Sequence, residues 1–427
     1  MNIAIIGSGI SGLMAAYVLS REHQVDVFEK EDYPGGHAHT ARAPGPDGEQ
    51  PVDTGFIVYN ELNYPHFTRL LKELTVDSIA SDMSFGVHSP SEHFAYSSRG
   101  LAGLLATPGR LFKADFYRLV RDIIRFNREA RIAIEEDVSG DVTLRSFLEA
   151  RRFSDAFVRH YISPMSSAIW SAVPGKTLDF PALTFFRFFK NHGLLSVSPD
   201  VPWRTVKGGS RSYVQALIKP FEDRLHLKTP VRGVRRSGGK VQLSFDDGPD
   251  RVYDRVVIAA HADQALDMLA DPSDEERRLL APFPYQKNRV VLHNDTSILP
   301  HQGAARASWN VHVAEKPETD TPLAMTYDMN RLQAIPDQSR YLVTLNPGKE
   351  WLDRLAQSTN GKRLFFDTVY EHPAFVPESF RMQPHLSALN GVRNTCYCGA
   401  WFGYGFHEDG LVSGLNAARA LGADWTR

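Results

Sequence analysis

The stretch NIAIIGSGISGLM at positions 2–14 decides the fold of this chain. Asn2–Ile6 is a short apolar run typical of a buried strand, and residues 7–12 fit the spacing G-x-G-x-x-G. Residues 13–20, which include two small alanines, predict a helix, and Gln24–Phe28 predicts a second strand. A strand, a glycine turn, a helix and a second strand form a βαβ unit, which implies a parallel sheet.

The glycine pattern alone is a weak signal, but its surroundings favour a dinucleotide site. The turn follows a strand and opens a helix, whose free N–H groups and partial positive charge suit a pyrophosphate. Glu29 ends the second strand, where its carboxylate can accept hydrogen bonds from a ribose hydroxyl. We therefore predict a bound dinucleotide, and the alternative is a tight glycine turn without a ligand. This pattern does not distinguish FAD from NAD.

Two distant segments favour a flavin. Residues 35–37 (GGH) and 52–56 (VDTGF) follow the second strand, and residues 398–400 (CGA) and 407–414 (HEDGLVSG) lie near the other end. A flavin ring lies far from the pyrophosphate of the cofactor. A second helix beginning near Asp409 would stabilise the negative charge of a reduced ring.

The composition is that of a globular protein. At roughly 150 residues per domain, 427 residues suggest two or three domains; 42% are hydrophobic and the formal charge is −2, which gives no reason to expect nucleic acid. Apolar runs such as residues 256–260 fall far short of the roughly 18 residues of a membrane span, and residues 1–6 do not resemble a leader. Cys396 and Cys398 cannot form a disulfide framework, so we expect a cytoplasmic protein.

Several further elements can be predicted. Residues 100–160 are expected to be helical, because apolar side chains recur at spacings of three and four. These side chains are Phe112, Phe116, Leu119, Ile123 and Phe126. Residues 235–254 predict a β-hairpin or meander, and residues 256–260 a buried strand. Near the end we expect a strand at 395–398 and a helix over 409–421.

The N-terminal run resembles the FAD-binding end of the flavin amine oxidase superfamily, which includes monoamine oxidases, protoporphyrinogen oxidases and phytoene desaturases. The stretches that carry the resemblance are 5–12, 27–36, 53–56, 205–213, 231–234, 256–261 and 397–418. Within the superfamily the chain is similar to a bacterial group described as predicted NAD/FAD-binding proteins. Members of that group resemble desaturases that act on methyl-branched fatty acyl chains in furan fatty acid formation.

The resemblance implies non-covalent FAD and a set of contacts to it. The matching positions are Gly7, Gly9, Ser11, Gly12, Glu29, Lys30, Gly36, His37, Thr54, Gly55, Phe56, Ile57, Val231, Ala259, Ala260, Gly399, Glu408, Asp409 and Gly410. Two positions depart from the superfamily pattern. His37 stands where an arginine is usual, and Trp401 stands where many relatives carry a carboxylate for the ribityl chain.

The fold expected from this resemblance is an α/β, Rossmann-type FAD-binding domain joined to a discontinuous substrate domain of mixed α+β structure. Residues 1–75, 205–275 and 385–427 would form the FAD-binding domain, because the cofactor motifs lie in these three segments. Residues 76–204 and 276–384 would form the substrate or cap domain.

The function implied is that of an FAD-dependent oxidoreductase that desaturates an apolar, methyl-branched fatty acyl substrate by hydride transfer to flavin N5. Tyr404, His407 and His261 are the candidates for accepting the second proton. Two alternatives stay open. One is a flavin amine oxidase, although Trp401, Phe402 and Tyr404 do not have the spacing of the usual aromatic cage. The other is a non-catalytic FAD-binding partner protein.

Some remaining features have competing explanations. Residues 110–131 hold six Arg and one Lys against three acidic residues, a local net of +4. This segment is either a solvated helix face or a contact to acidic lipid head groups or an acyl-carrier protein, which would place the protein at the periphery of the inner membrane. The aromatic run 179–189 is either core or the lining of a substrate tunnel. For His37 and His39 we expect a position beside the cofactor and no metal. The oligomeric state is left open.

Overall fold

The computed structural model describes residues 1–137, 142–171, 173–195, 201–313, 322–358 and 361–426. Its first layer is a five-stranded sheet in which all neighbouring strands are parallel. In spatial order the strands are Leu225–His226, Gln24–Phe28, Asn2–Ile6, Arg255–Ile258 and Thr395–Tyr397. The predicted α/β fold with a parallel sheet is confirmed.

The central strand is apolar throughout because both faces of the sheet are covered. Ile3 and Ile5 pack into one hydrophobic cluster, whereas Ala4 and Ile6 pack into another on the opposite face. Such burial on both faces explains why the strand reads as a continuous apolar run.

Two helices cover one face of this sheet, and they come from opposite ends of the chain. Ile10–Leu19 packs against His407–Ala420. A Cβ atom at Gly410 would lie 2.9 Å from Cγ2 of Ile10, and one at Gly414 would collide with the carbonyl oxygen of Ser11. Small residues at both positions therefore let the two helices approach closely.

A three-stranded meander covers the other face. Its strands are Val231–Ser237, Lys240–Phe245 and Arg251–Tyr253, paired antiparallel. Val234, Val241 and Leu243 are fully buried in the cluster that also receives Ala4 and Ile6. The predicted meander is confirmed, with a start a few residues earlier.

A second, seven-stranded sheet lies beyond the first. In spatial order its strands are Leu364–Pro373, Tyr285–His293, Leu342–Leu345, Ala324–Asp328, Trp309–His312, Phe85–Ser89 and Phe94–Ser97. All neighbours are antiparallel except Trp309–His312 and Phe85–Ser89. Val290 and Leu292 on one face pack with Ala41 and Val52 of the hairpin Thr40–Gly45 and Gly48–Asp53. A further small sheet joins Val58–Asn60, Trp203–Val206 and Ser78–Ala80.

The described part of the chain between the strands Phe94–Ser97 and Trp203–Val206 forms a layer of helices. Its principal helices are Gly100–Leu104, Ala114–Glu135, Leu144–Ala150, Asp155–Phe157, Ser163–Trp170, Pro174–Thr177 and Ala182–Asn191. Its core is aromatic: the ring centroid of Phe126 lies 5.6 Å from that of Phe186. The remaining α-helices of at least four residues in the described parts of the chain are Pro65–Glu73, Arg211–Ile218, Ala262–Met268, Asp274–Leu280, Met329–Leu332, Lys349–Ala356 and Pro377–Met382.

Several predicted boundaries were wrong by a few residues, and one predicted core residue was wrong. The first helix begins at Ile10, inside the glycine pattern, and the last begins at His407. The strand expected over 256–260 is Arg255–Ile258. Phe112 is 92% exposed, because it belongs to the short turn Pro108–Phe112 and not to the helix that follows.

The parallel sheet draws its strands from residues 2–28, 225–258 and 395–397, and the seven-stranded sheet draws its strands from 85–97 and 285–373. The proposed domain boundaries stay a prediction. Among the described residues, no helix is both long and apolar enough to cross a bilayer.

Candidate functional site

In the first glycine turn, residues 7–12, a side chain would clash with the protein at positions 7 and 12 but not at position 9. Gly7 has φ +98°, and a Cβ there would lie 2.5 Å from the carbonyl oxygen of Ala259. A Cβ at Gly12 would collide with the carbonyl oxygen of Gly7, whereas one at Gly9 would meet nothing within 4 Å. No side chain caps the helix that begins at Ile10, and its first turn has no acidic residue. Its N-terminal N–H groups can therefore receive a ligand phosphate.

Glu29 lies beside this turn. One carboxylate oxygen accepts hydrogen bonds from the backbone N–H (2.9 Å) and the hydroxyl (2.6 Å) of Ser8, and the other accepts from the N–H of Glu31 (3.0 Å). The carbonyl oxygen of Glu29 accepts from the N–H of Thr229 at 2.8 Å, which brings the loop before Val231 alongside. Lys30 is exposed and lies 3.8 Å from the Glu31 carboxylate.

Residues 35–37, which we call the second glycine stretch, pack against the first glycine turn. The N–H of Gly35 donates to the carbonyl oxygen of Ser8 at 2.9 Å. Gly36 has φ +57°, and a Cβ there would lie 3.2 Å from Cα of Gly9. The N–H of Phe56 donates to the carbonyl oxygen of His37 at 2.8 Å, so residues 54–57 join the same layer. Larger residues at 35 and 36 would separate these segments.

Thr54 and Ile57 are engaged by the protein. The Thr54 hydroxyl lies 2.7 Å from the Tyr370 hydroxyl and 3.0 Å from Nδ1 of His39. The buried Ile57 accepts a hydrogen bond at its carbonyl oxygen from Thr205 at 2.8 Å.

The ring of Trp401 is buried against the strand end. It is 2% exposed, packs against Phe283 and donates from Nε1 to the carbonyl oxygen of Ala260 at 3.1 Å. The neighbouring Gly399 donates its N–H to the Ser413 hydroxyl at 2.9 Å. Trp401 therefore fixes the end of the Arg255–Ile258 strand against the C-terminal segment.

The carboxylates of Glu408 and Asp409 accept hydrogen bonds from protein N–H groups. Glu408 accepts from the N–H groups of His66 (2.9 Å) and Phe67 (3.0 Å), and thus caps the helix Pro65–Glu73. Asp409 accepts from the N–H groups of Tyr404 (3.0 Å) and Phe406 (2.9 Å), and burial raises its pKa to about 6. Their predicted contacts to the cofactor stay predictions.

His407 is held on three sides. Its Nε2 lies 2.8 Å from the hydroxyl of Tyr213, which is fully buried. Its ring stacks on Phe56 at 3.8 Å and meets Phe67 edge-on at 5.0 Å. Burial, with a smaller effect of His37, lowers the pKa of His407 to about 3. A neutral, fixed imidazole is a weak base at neutral pH, and its catalytic role stays a prediction.

Three more histidines gather near the second glycine stretch. The ring of His37 lies 5.0 Å from that of His372 and 4.9 Å from that of Tyr370. His261 stacks on Tyr285 at 4.0 Å, and its Nδ1 lies 3.4 Å from a carboxylate oxygen of Glu371 without a hydrogen bond to it. Burial lowers the pKa values of His37 to about 4 and of His261 and His372 to about 3, so the cluster is uncharged at neutral pH.

The orientation of His372 is set by a buried amide. Nδ2 of Asn288, which is fully buried, donates to Nδ1 of His372 at 2.8 Å. Oδ1 of Asn288 accepts from Gln286 at 3.1 Å and from Asn346 at 2.8 Å, which fixes the amide. An imidazole that accepts at Nδ1 carries its proton on Nε2. His372 is thus a neutral hydrogen-bond donor held by the second sheet.

Tyr404 lies on an aromatic wall, and among the described residues it has no hydrogen bond or ring contact to His407 or His261. Its ring lies 5.8 Å from Phe188 of the helix Ala182–Asn191. Phe188 also stacks on Phe406 at 5.0 Å and on His192 at 3.9 Å. Burial raises the pKa of Tyr404, so its hydroxyl stays protonated at neutral pH.

The sequence did not point to Asn288, Tyr370 or His372, each an ordinary residue of a strand without a motif around it. Tyr213 lies at the end of the stretch 205–213, but nothing in the sequence indicated a role for it. Their importance comes from pairing between distant segments, such as the antiparallel strands Tyr285–His293 and Leu364–Pro373. Among the described residues, no group of three His, Cys, Asp or Glu side chains could hold a metal ion.

A dinucleotide fits these residues. Gly9 leaves space where a Cβ would point, the helix behind it is uncapped, and Glu29 lies at the end of the adjacent strand. The second glycine stretch and residues 54–57 continue the surface away from the phosphate turn. This extension suits a cofactor longer than a mononucleotide.

Comparisons with known proteins agree with this geometry. The family model of flavin containing amine oxidoreductases matches residues 10–422. A Mycobacterium tuberculosis protein described as a flavin-containing monoamine oxidase is 27% identical over 258 residues, or 58% of this chain and 54% of that protein. Prenylcysteine oxidase 1 of Mus musculus is 38% identical over 317 residues, or 64% of this chain and 59% of that protein. The chain thus spans between half and three fifths of these curated relatives.

Two solved structures show the same fold over 98% of both chains. They are a fatty acid isomerase of P. acnes, with a TM-score of 0.67 and 16% identity, and the cyclohexylamine oxidase of Brevibacterium oxydans, with a TM-score of 0.67 and 17% identity. At this identity the likeness concerns the fold alone. Since the family model covers nearly the whole sequence, the chain belongs to the flavin-containing amine oxidoreductase family, whose cofactor is FAD.

Proposed function

We propose that this protein is an FAD-dependent oxidoreductase that introduces a double bond into an apolar, methyl-branched fatty acyl chain. The observation that carries the proposal is the aromatic wall of Phe188, Tyr404 and Phe406, which joins the helix Ala182–Asn191 to the C-terminal motif. Tyr404 and Phe406 are half-buried and can bind an acyl chain by removing their remaining apolar surface from water, while the buried Phe188 supports them from behind. Because Phe188 itself is buried, a tunnel lined by residues 179–189 stays a prediction.

The uncharged imidazoles fit the same chemistry. His37, His261, His372 and His407 are all neutral at pH 7, because burial lowers their pKa values. A site without fixed positive charge does not oppose a cation developing on the substrate carbon. His372 can offer an oriented N–H, while Tyr404 keeps its proton and orients the substrate or relays a proton.

The cofactor would be held by the residues of the two glycine stretches, with Glu29 at its ribose. When bound, FAD supplies the acceptor for the hydride, while a proton leaves the neighbouring carbon to form the double bond. The protein must position one C–H bond and exclude water. An allylic C–H is the better hydride donor, which favours a branched chain that is already unsaturated.

Amine oxidation is the second candidate, supported by the names of several curated relatives. An aromatic cage would need two exposed rings. Trp401 is buried and donates to Ala260, so it is not available for such a cage. Phe402, Tyr404 and Phe406 remain, all half-buried. A non-catalytic FAD-binding partner is the third candidate.

Anaerobic reduction separates these candidates. We expect the visible absorbance of bound oxidised FAD to bleach when a methyl-branched unsaturated phospholipid is added, and not when benzylamine is added. Bleaching by benzylamine alone would replace the proposal with amine oxidation. No bleaching by any acyl lipid or amine, from protein that dithionite reduces fully, would support a non-catalytic role. Lipid extracts of cells with and without the protein would then identify the product.

We also propose that FAD is not covalently attached. Cys396 and Cys398 are both buried, and burial raises the pKa values of both thiols. A buried protonated thiol is unreactive. Acid precipitation should release a yellow supernatant, and colour in the pellet would contradict the proposal.

A further inference from the structure

We propose that the helix Ala114–Glu135 docks the protein on the surface of an anionic bilayer. Its exposed face carries Tyr117, Arg121, Ile124, Arg128 and Ile132, which we name the docking stripe. The successive spacings of four, three, four and four residues place all five side chains on one face of a helix. Apolar and cationic side chains alternate along it.

The apolar members of this surface are more exposed than a monomeric soluble protein requires. Tyr117, Ile124 and Ile132 are 58%, 59% and 43% exposed, and Phe112, just before the helix, is 92% exposed. With Leu101, they are five of the eleven large apolar side chains that are exposed among the described residues. Such a concentration within one short segment marks an interaction surface.

The cations of this surface are available for a partner. Neither Lys113 nor Arg128 has an acidic partner among the described residues. Arg121 pairs with the buried Asp122, but its own side chain remains 65% exposed. The basic groups lie next to the exposed apolar ones, as in helices that lie in the interface of an anionic membrane.

The acidic groups of the helix define its orientation. Asp115 is paired with Arg118, and Glu129 is paired with Arg151. Glu135 and Glu136 lie at the C-terminal end, next to Asp137, which pairs with Arg187. The N-terminal part, with Phe112 and Lys113, should therefore insert more deeply than the C-terminal end. The partial positive charge of the helix N-terminus acts in the same direction.

A shallow groove beside the docking stripe suits a lipid. It has a volume of about 360 Å³ and is lined by Ile124, Asn127, Arg128, Arg131, Ile132, Glu135 and Leu195. Its lining is largely apolar and holds two arginines, of which Arg131 also donates to the carbonyl oxygen of Leu195, against the one carboxylate of Glu135. This combination matches a phosphate head group with the start of its acyl chain, and it favours a bilayer over an acidic carrier protein.

Docking here would bring lipid close to the aromatic wall. On the buried side of the same helix, Phe126 packs against Phe186 and Phe189 of the helix Ala182–Asn191. Phe188 of that helix contacts Tyr404. Two packed helices, Ala114–Glu135 and Ala182–Asn191, thus lie between the docking stripe and Tyr404 of the candidate site. This last step rests on the proposed function, whereas vesicle binding itself does not.

Co-sedimentation of the FAD-loaded protein with vesicles tests the proposal. We expect binding to phosphatidylcholine vesicles that contain one quarter phosphatidylglycerol, weaker binding to pure phosphatidylcholine, and a decrease as salt rises. Replacing Arg121→Gln and Arg128→Gln together should weaken partitioning by about tenfold or more, since each cation contributes severalfold. Phe112→Ser should weaken it by about tenfold at any salt concentration.

A matched control removes a cation and an apolar side chain from another surface. Arg235→Gln with Val252→Ser changes two exposed residues of the meander and should bind like the wild type. Absence of vesicle binding at low salt would overturn the proposal, as would equal loss in the control. Binding to an acidic acyl-carrier protein without binding to vesicles would assign the surface to that partner instead. A docking failure with normal FAD reduction would leave the proposed chemistry intact.

Discussion

Nδ2 of Asn288 lies 2.8 Å from Nδ1 of His372, so an amide of one strand fixes the tautomer of an imidazole on its neighbour. The His372 proton must then reside on Nε2. The amide is itself fixed by Gln286 and Asn346. The second sheet thus presents one neutral donor near the second glycine stretch.

Asn288→Asp should reverse this hydrogen bond. A carboxylate would accept from Nδ1–H of His372 and raise its pKa. The cost to the free energy of unfolding should be about 1–3 kcal/mol, because the carbonyl oxygen of Gln286 loses a donor. ¹⁵N chemical shifts of labelled histidine report the tautomer. Asn294→Asp, which introduces a carboxylate elsewhere, is the control, and a proton retained on Nε2 in N288D would contradict the assignment.

Alanine at Gly7 should weaken folding, whereas alanine at Gly9 should weaken FAD binding. Gly7→Ala should lower the free energy of unfolding by at least about 2 kcal/mol, given its φ of +98° and the contact with Ala259. Gly9→Ala should leave folding nearly unchanged but weaken FAD binding at least about tenfold, equivalent to 1.4 kcal/mol. Gly303→Ala, also in open space, is the control for both measurements. Unchanged FAD affinity in G9A would show that the phosphates bind elsewhere.

Glu408→Ala should destabilise the protein even without cofactor. The carboxylate caps the helix Pro65–Glu73 through the N–H groups of His66 and Phe67. Loss of such a cap costs about 1–2 kcal/mol, and Glu408→Gln should lose less. Urea unfolding of the FAD-free protein measures the difference. If E408A lowered FAD affinity while the FAD-free protein unfolded as the wild type, the carboxylate would be a cofactor ligand instead.

The buried carboxyl of Asp53 should make stability depend on pH. Burial raises its pKa from 3.8 to about 6, although Thr40 and Ser210 donate hydrogen bonds to it. The folded state then holds a proton that the unfolded state has released. Its contribution is fully present below pH 4 and is lost as pH rises to 6, in total about 2–3 kcal/mol.

Urea unfolding of the wild type and Asp53→Asn between pH 4 and pH 7 measures this contribution. We expect the difference in unfolding free energy between the two proteins to change from pH 4 to pH 6 and to be constant above pH 6. Asp409 has a similarly raised pKa and is common to both proteins, so its effect cancels. A constant difference throughout would refute a raised pKa at Asp53.

Tyr404→Phe and His407→Gln test two of the three residues predicted to accept the second proton, of which His261 is the third. If either acts in proton transfer, that variant should reduce FAD more slowly with the true substrate, while FAD occupancy stays unchanged. His407→Gln keeps a hydrogen-bonding group near Tyr213 and so limits structural loss. Rapid-mixing absorbance under anaerobic conditions gives the rate. Wild-type rates in both variants would leave positioning alone as the role of these residues.

Local elements could be predicted from the sequence because their signals are local. The strand Asn2–Ile6, the turn at Gly7 and the strand Gln24–Phe28 adjoin one another, so each limits the interpretation of the next. Phe112 shows where periodicity fails: it continues the apolar spacing but precedes a helix that starts at Ala114. Spacing alone does not reveal where a helix begins when no capping side chain marks the start.

A different reason explains why the histidine cluster could not be predicted from the sequence. His372 is paired with Gln286 and accepts from Asn288, two residues along the same face of the neighbouring strand. This placement depends on the register of two antiparallel strands, and a shift of one residue would turn every side chain to the other face. The contact of Tyr213 with His407 likewise joins distant segments through the packing of helices. These relationships exist only in the assembled fold.

The contact of Gly414 with Ser11 has a consequence for the synthesis of the protein. The phosphate turn emerges from the ribosome long before the helix that packs on it and the strand Thr395–Tyr397 that completes its sheet. Such pairing closes a very long loop and is slow to form. FAD should therefore load after translation, and the early segments must meanwhile remain protected from aggregation, by chaperones or by transient partners.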